Sequence, residues 1–132
     1  MDTVVLRDLC IIEYEKKDDN GFSYTQYDLA SEDSNKRFKV ITGNNSGKIF
    51  DNLEQLTSDK YFEQSIMVGS FLLGAHKRYL QDIIKKALIS EAKYFASDNV
   101  YNVKEVKSIM KQFNERLYLS AKKEHQDYTQ EM

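Results

Sequence analysis

The sequence has a single cysteine, Cys10, in 132 residues, so no internal disulfide can form. Proline and tryptophan are absent, while lysine outnumbers arginine 15 to 4 and there are 8 asparagines. That bias points to an A/T-rich genome, such as a low-GC bacterium or its phage. Long hydrophobic runs are missing too: the longest stretch of low charge, residues 65–76 (SIMVGSFLLGAH), is too short to cross a bilayer and is expected as a buried helix. The opening MDTVVLRDLCIIEYEKK has no basic segment leading into an unbroken apolar core, as a secretion signal would. The expected compartment is a reducing cytoplasm, with no membrane association.

There is also little net charge. A formal −2 gives no general electrostatic reason to seek DNA, RNA or an anionic membrane. The charge is unevenly spread, with 12 acidic and 8 basic residues in 1–60 and 9 acidic and 11 basic in 61–132. Against these absences stands enough apolar material for a core: 41% hydrophobic residues, nine tyrosines and seven phenylalanines. Residues 1–132 therefore read as one domain. Within it, 1–50 is expected to be a β-meander, 51–127 a helical layer and 128–132 a frayed tail.

The β reading begins with CIIEYEKKDDNGFSYTQYDL. Asn20-Gly21 is the favoured central pair of a type I′ hairpin, because both positions need positive φ. A two-residue loop would set Lys16 opposite Thr25, Tyr14 opposite Tyr27 and Ile12 opposite Leu29. Ile12, Tyr14, Tyr27 and Leu29 would then share a core face with Cys10, and Glu13, Glu15, Gln26 and Asp28 a wet one. Phe22 and Tyr24 would fall on the wetter side. RFKVIT (37–42) alternates as a third strand, and KIF (48–50) reads as a short fourth. Asp51 with Glu54 suggests a capping box opening a short helix.

From about Asp59 the apolar period lengthens, with Phe62, Ile66, Leu73, Leu80, Ile84, Leu88 and Phe95 near helical spacing and Arg78, Asp82 and Lys86 on the polar side. Residues 96–102 form a connector. Asn102 with Glu105 marks an N-cap, and Val103, Val106, Met110, Phe113, Leu117 and Ala121 a closing helix. The predicted fold is α+β: an N-terminal antiparallel meander of three or four strands packed against two or three C-terminal helices. The order has no βαβ alternation, which argues against a doubly wound nucleotide-binding sheet.

ITGNNSGKIF (41–50) is the one stretch suggesting a phosphate loop. It is one residue short of G-x-x-x-x-G-K-[ST], and Ile49 stands where a magnesium-binding hydroxyl belongs. It is read as a turn. His76 and His125 have no partner at metal-site spacing, Cys10 lies on the presumed core face, and no G-x-S-x-G elbow occurs. Glu13, Glu15, Asp18 and Asp19 read as the solvated side of a hairpin. No catalytic residue, metal site or cofactor is expected.

Two binding surfaces remain. The acidic, aromatic hairpin offers Glu13, Glu15, Phe22 and Tyr24 to a protein partner, since tyrosine and phenylalanine are enriched at interfaces. The stretch 77–123 carries 11 basic and 5 acidic residues. Lys77, Lys85, Lys104, Lys107 and Lys111, interleaved with Tyr79, Tyr94 and Tyr118, could hold a nucleic-acid backbone or nucleotide. The first expectation is a small cytoplasmic, non-enzymatic binding protein that docks onto a macromolecule and modulates or inhibits it, such as a phage or mobile-element factor. It is expected to be a homo-oligomer through its helices. The alternative is a nucleic-acid or nucleotide binder using the basic helical face.

Overall fold

The computed structural model describes residues 3–60, 62, 66–70, 82, 84–86 and 100–131. Its elements run β1 (Thr3–Val5), a 3₁₀ turn (Leu6–Asp8), β2 (Leu9–Lys17), β3 (Ser23–Glu32), β4 (Phe38–Val40), β5 (Ile49–Phe50), α1 (Leu53–Ser58), β6 (Ile66–Ser70), β7 (Val100–Asn102) and α2 (Val103–Glu131). Strands β2 to β5 form the expected antiparallel meander, and the architecture is α+β. The five-stranded sheet has the order β5-β4-β3-β2-β6, while β1 and β7 make a separate antiparallel pair.

The β2–β3 hairpin is present, but its register differs from the expectation by one residue. Ile12 faces Asp28, Tyr14 faces Gln26 and Lys17 faces Ser23. The cause lies at the turn. Asp18 Oδ1 accepts the amides of Asn20 and Phe22, both at 2.9 Å, and Gly21 N–H donates to Asp18 O at 3.0 Å. The loop is thus a β-turn followed by Gly21 at φ 82°, the three-residue form rather than the two-residue one. A one-residue slip reassigns every side chain to a face. Asp28, expected in solvent beside Glu13 and Glu15, instead joins Ile12 and Tyr14 on the opposite face and is fully buried.

The sheet is apolar on both sides. Leu9, Cys10, Ile11 and Ile12 are all buried in succession, as in a strand covered on both faces. One face packs Leu9, Ile11 and Leu29 against Val106, Ile109, Met110 and Phe113 of α2, with Ile84 and Tyr101. The other gathers Cys10, Ile12, Tyr14 and Ala30 with Phe38, Val40, Phe50, Leu56 and Phe62. The thiol of Cys10 donates to Glu32 Oε2 at 3.4 Å.

Two further expectations are corrected. Residues 66–70, assigned to a helix, form edge strand β6 along β2. Their Ile-Met-Val run has the β-branched character of a strand, and open backbone on β2 outweighs the helical spacing of isolated apolar residues. The cap of α1 is Asn52, whose Oδ1 accepts Gln55 N–H at 2.9 Å, while Gln55 Oε1 accepts Asp51 N–H at 3.1 Å. At the other end, α2 continues through Glu131, with no glycine or proline to stop it. Its start is as expected, with Asn102 Oδ1 accepting Lys104 N–H at 2.8 Å.

Asp82 and residues 84–86 are helical, in agreement with the expectation there. His76, Lys77, Arg78, Tyr79 and Tyr94 lie outside the described residues, as does 71–76 of the expected buried helix. Among the described residues no helix is long and apolar enough to cross a membrane.

Candidate ligand cleft

Strand β4 ends at Val40, so it covers only residues 30–32 of β3. The chain leaves the sheet at the next two residues, where Ile41 N–H donates to Leu29 O at 2.8 Å and Thr42 Oγ1 accepts Leu29 N–H at 2.9 Å. Below that point the outer edge of β3 is taken over by α2. Asn114 Oδ1 accepts Tyr27 N–H at 3.0 Å and its Nδ2 donates to Tyr27 O at 2.8 Å, so one carboxamide stands in for a neighbouring strand.

A cleft of about 500 Å³ lies between these three segments. Strand β3 contributes Tyr24, Gln26 and Asp28, which share a face because side chains alternate along a strand. The loop contributes Thr42, Gly43, Asn44 and Ser46. Helix α2 contributes Lys107, Lys111, Asn114 and Tyr118, a stripe at helical spacing, with Met110 and Glu115 at its sides. The size is within the range of small-molecule sites, roughly 300–1,000 Å³.

Asp28 is the buried acid of this cleft. Tyr14 O–H donates to its Oδ2 at 2.8 Å and Thr42 O–H to its Oδ1 at 3.2 Å, while Gln26 Nε2 donates to the Tyr14 oxygen at 2.6 Å. Burial pushes the carboxyl above its ordinary range, against the pull of the bonds from Tyr14, Thr42 and Gln26 and of the Lys16 charge. Gly43 closes over it at φ 81°, and a Cβ there would meet Asp28 Oδ2 at 2.5 Å. The loop therefore belongs to the cleft without being a phosphate loop. The amides of Ser46, Gly47 and Lys48 are spent on Gly43 O, Val40 O and Asn45 O, and the Lys48 ammonium pairs with Asp59. The expected turn is what forms.

The hairpin tip is bolted to the far half of α2. Tyr118 O–H donates to Asp18 Oδ2 at 2.9 Å, and Lys122 Nζ donates to the Tyr118 oxygen at 3.1 Å. Desolvation would raise the Asp18 carboxyl, but the bonds from Phe22, Tyr118 and Asn20 prevail and hold it below its usual value. The Tyr24 and Tyr118 rings meet edge to face at 4.6 Å, and Phe22 lies 6.3 Å from Tyr118 and 5.1 Å from His125.

The two sets of residues named from sequence fare differently. Phe22 and Tyr24 are half-buried against α2, while Glu13 and Glu15 stand on the other face of the hairpin from Tyr24, so the four do not form one patch. Of the lysines, Lys104, Lys107 and Lys111 are exposed on α2, and Lys107 and Lys111 line the cleft. Lys85 is exposed outside it, and Lys77 is not among the described residues. Gln26, Asp28 and Asn114 were missed as site residues. The signal for Asp28 was present in the uninterrupted apolar run of residues 9–12, which reports a strand buried on both faces.

Among the described residues no three of His, Cys, Asp and Glu gather as a metal site. Compared with family models, with curated proteins and with solved structures, the chain matches none.

Proposed function

We propose that this chain is a non-enzymatic binding protein that docks onto a macromolecular partner, and that the partner is single-stranded nucleic acid held along the basic face of α2. The observation that carries the reading is the meeting of Lys107 and Lys111 with Tyr24 and Tyr118 around one cleft. Exposed lysines supply phosphate contacts and aromatic rings supply stacking, the two ingredients of single-strand binding. Lys104, one turn earlier on the same helix, extends the basic stripe beyond the cleft. The formal charge of −2 makes this a local surface rather than a property of the whole molecule, so affinity is modest and salt-sensitive.

A second reading, docking onto a protein as an inhibitor or modulator of the phage or mobile-element kind, is favoured by a different feature. Ile49 and Leu53, at the short edge strand β5 and the start of α1, are 59% and 46% exposed. Both readings place the protein in a cytoplasm, and self-association through helices would accompany either.

A pull-down with tagged protein from bacterial lysate, with and without nuclease, separates them. Nucleic acid recovered in a nuclease-sensitive manner, and lost in the Lys107→Ala/Lys111→Ala variant, supports the first reading. A discrete protein that survives nuclease and is lost in Ile49→Asp contradicts it in favour of the second. Light scattering on the same samples measures the oligomeric state.

A further inference from the structure

We infer that the cleft seats a single nucleotide of a strand, with its phosphate at Lys107 and Lys111 and its base at Tyr24, Tyr118 and Gln26. The inference rests on the nucleic-acid reading above and adds the chemistry of the seat.

The polarity of the cleft carries it. Tyr118 meets Tyr24 at 4.6 Å, Asn114 bonds Tyr27 and Leu29 bonds Thr42, so α2 and β3 run in opposite directions and Lys107 and Lys111 fall towards the 42–46 loop end of the cleft. At 1.5 Å per residue the helix separates Lys111 from Tyr118 by about 10 Å. One end of the cleft is therefore cationic and the other aromatic, with Asn114 and Glu115 between them on the helix. An inorganic anion would use only the first end and a neutral aromatic ligand only the second. A nucleotide uses both.

Charge narrows the choice further. Two lysines against Glu115 leave one net positive charge on the α2 wall, before the buried Asp28 is counted. That suits the single charge of a phosphodiester and disfavours a triphosphate, which would also meet Asp28 at the floor. Gln26 supplies the polar edge at the aromatic end. Its Nε2 is fixed by the bond to Tyr14, which leaves Oε1 to accept from a base amino group. Asn114 does not compete for the ligand, because both ends of its carboxamide are committed to Tyr27.

The test uses the full chain, ¹⁵N-labelled, titrated separately with adenosine 5′-monophosphate, inorganic phosphate, adenosine, a short oligoadenylate and an acidic peptide. Adenosine monophosphate and the oligonucleotide are expected to shift the amides of 42–46 and 107–118, with phosphate and adenosine each at least tenfold weaker. Tyr24→Phe should retain binding, and Tyr24→Leu should weaken it about tenfold or more, as loss of a stacking surface does. The ¹⁵N spectrum of unliganded Tyr24→Leu, unchanged away from the neighbours of residue 24, shows that a loss comes from the ring and not from misfolding.

Phosphate binding as tightly as the nucleotide would overturn the seat and leave a plain anion site. Oligonucleotide binding that depends on Lys104, Lys107 and Lys111 but shifts none of the amides of 42–46 would overturn the seat while the nucleic-acid reading stands. Binding of the acidic peptide with no response to either nucleotide would overturn both.

Discussion

Asn114 holds Tyr27 by both backbone groups, accepting its N–H at 3.0 Å and donating to its carbonyl at 2.8 Å. The pair joins α2 to the edge of β3 that β4 does not reach, and so fixes one wall of the cleft against another. Each bond is worth about 0.5–1.5 kcal/mol, and removing both leaves two partly buried backbone groups unpaired. Asn114→Ala should cost about 2 kcal/mol in urea unfolding. A loss below about 0.5 kcal/mol would mean that water replaces the carboxamide at little cost.

Gly43 and Gly21 share a positive φ but differ in surroundings. A Cβ at Gly21 meets nothing within 4 Å, whereas one at Gly43 falls on the Asp28 carboxyl. Gly21→Ala should therefore cost only the backbone term, about 1–2 kcal/mol for a left-handed residue. Gly43→Ala should cost clearly more and displace the loop, which thermal unfolding of the two variants checks. Equal losses would show that the loop yields freely.

Asp28 should make stability fall as pH rises. Its folded pKa lies above its unfolded one, so the folded state binds the proton more tightly. This contribution is fully present below the ordinary carboxylate value of 3.8 and is lost as pH climbs through the raised folded value. Asp18 and Asp33 are shifted the other way, so the whole-protein profile mixes signs. The difference between wild type and Asp28→Asn isolates the group. It should move against wild type as pH rises above the ordinary carboxylate value of 3.8, and a flat difference would contradict the assignment. Asp28→Ala should cost about 3 kcal/mol, because it strands the hydroxyls of Tyr14 and Thr42.

Cys10 should be inert in the folded chain. Burial, followed by the nearby Glu32 carboxylate and its hydrogen bond, pushes the thiol up to about 12. The thiolate is the reactive form, and at pH 8 it is then a minor species. A disulfide reagent should label no cysteine in native protein and one per chain in guanidinium. Prompt stoichiometric labelling of native protein would show that β2 opens or that the site is less buried.

The meander, the closing helix and its Asn102 cap were legible because each rests on short-range patterns: Asn20-Gly21, the alternation in RFKVIT and the spacing of Val106, Met110 and Phe113. The register was not. An Asn-Gly pair serves both a two-residue loop and the longer loop that Asp18 selects by accepting two amides, and the choice decides whether Asp28 faces water or Tyr14. The cleft was out of reach for a related reason. Its walls come from residues 24–28, 42–46 and 107–118, which are brought together by long-range contacts: the Asn114–Tyr27 bonds, the bonds of Thr42 to Leu29 and Asp28, and the packing of Tyr24 on Tyr118. Lys107 and Lys111 could be named as basic residues, but their convergence on Tyr24 is a fact of the fold.

The salt dependence of oligonucleotide affinity tests the binding surface most directly. Fluorescence anisotropy between 50 and 200 mM salt, on wild type and Lys107→Ala/Lys111→Ala, should give a linear fall of log K with log salt in wild type. The slope of the variant should be shallower by about 0.7, the loss of the one single-strand phosphate contact that the two lysines share. Identical slopes in the two proteins, or affinity indifferent to salt, would contradict the assignment of the α2 cleft as a nucleic-acid site.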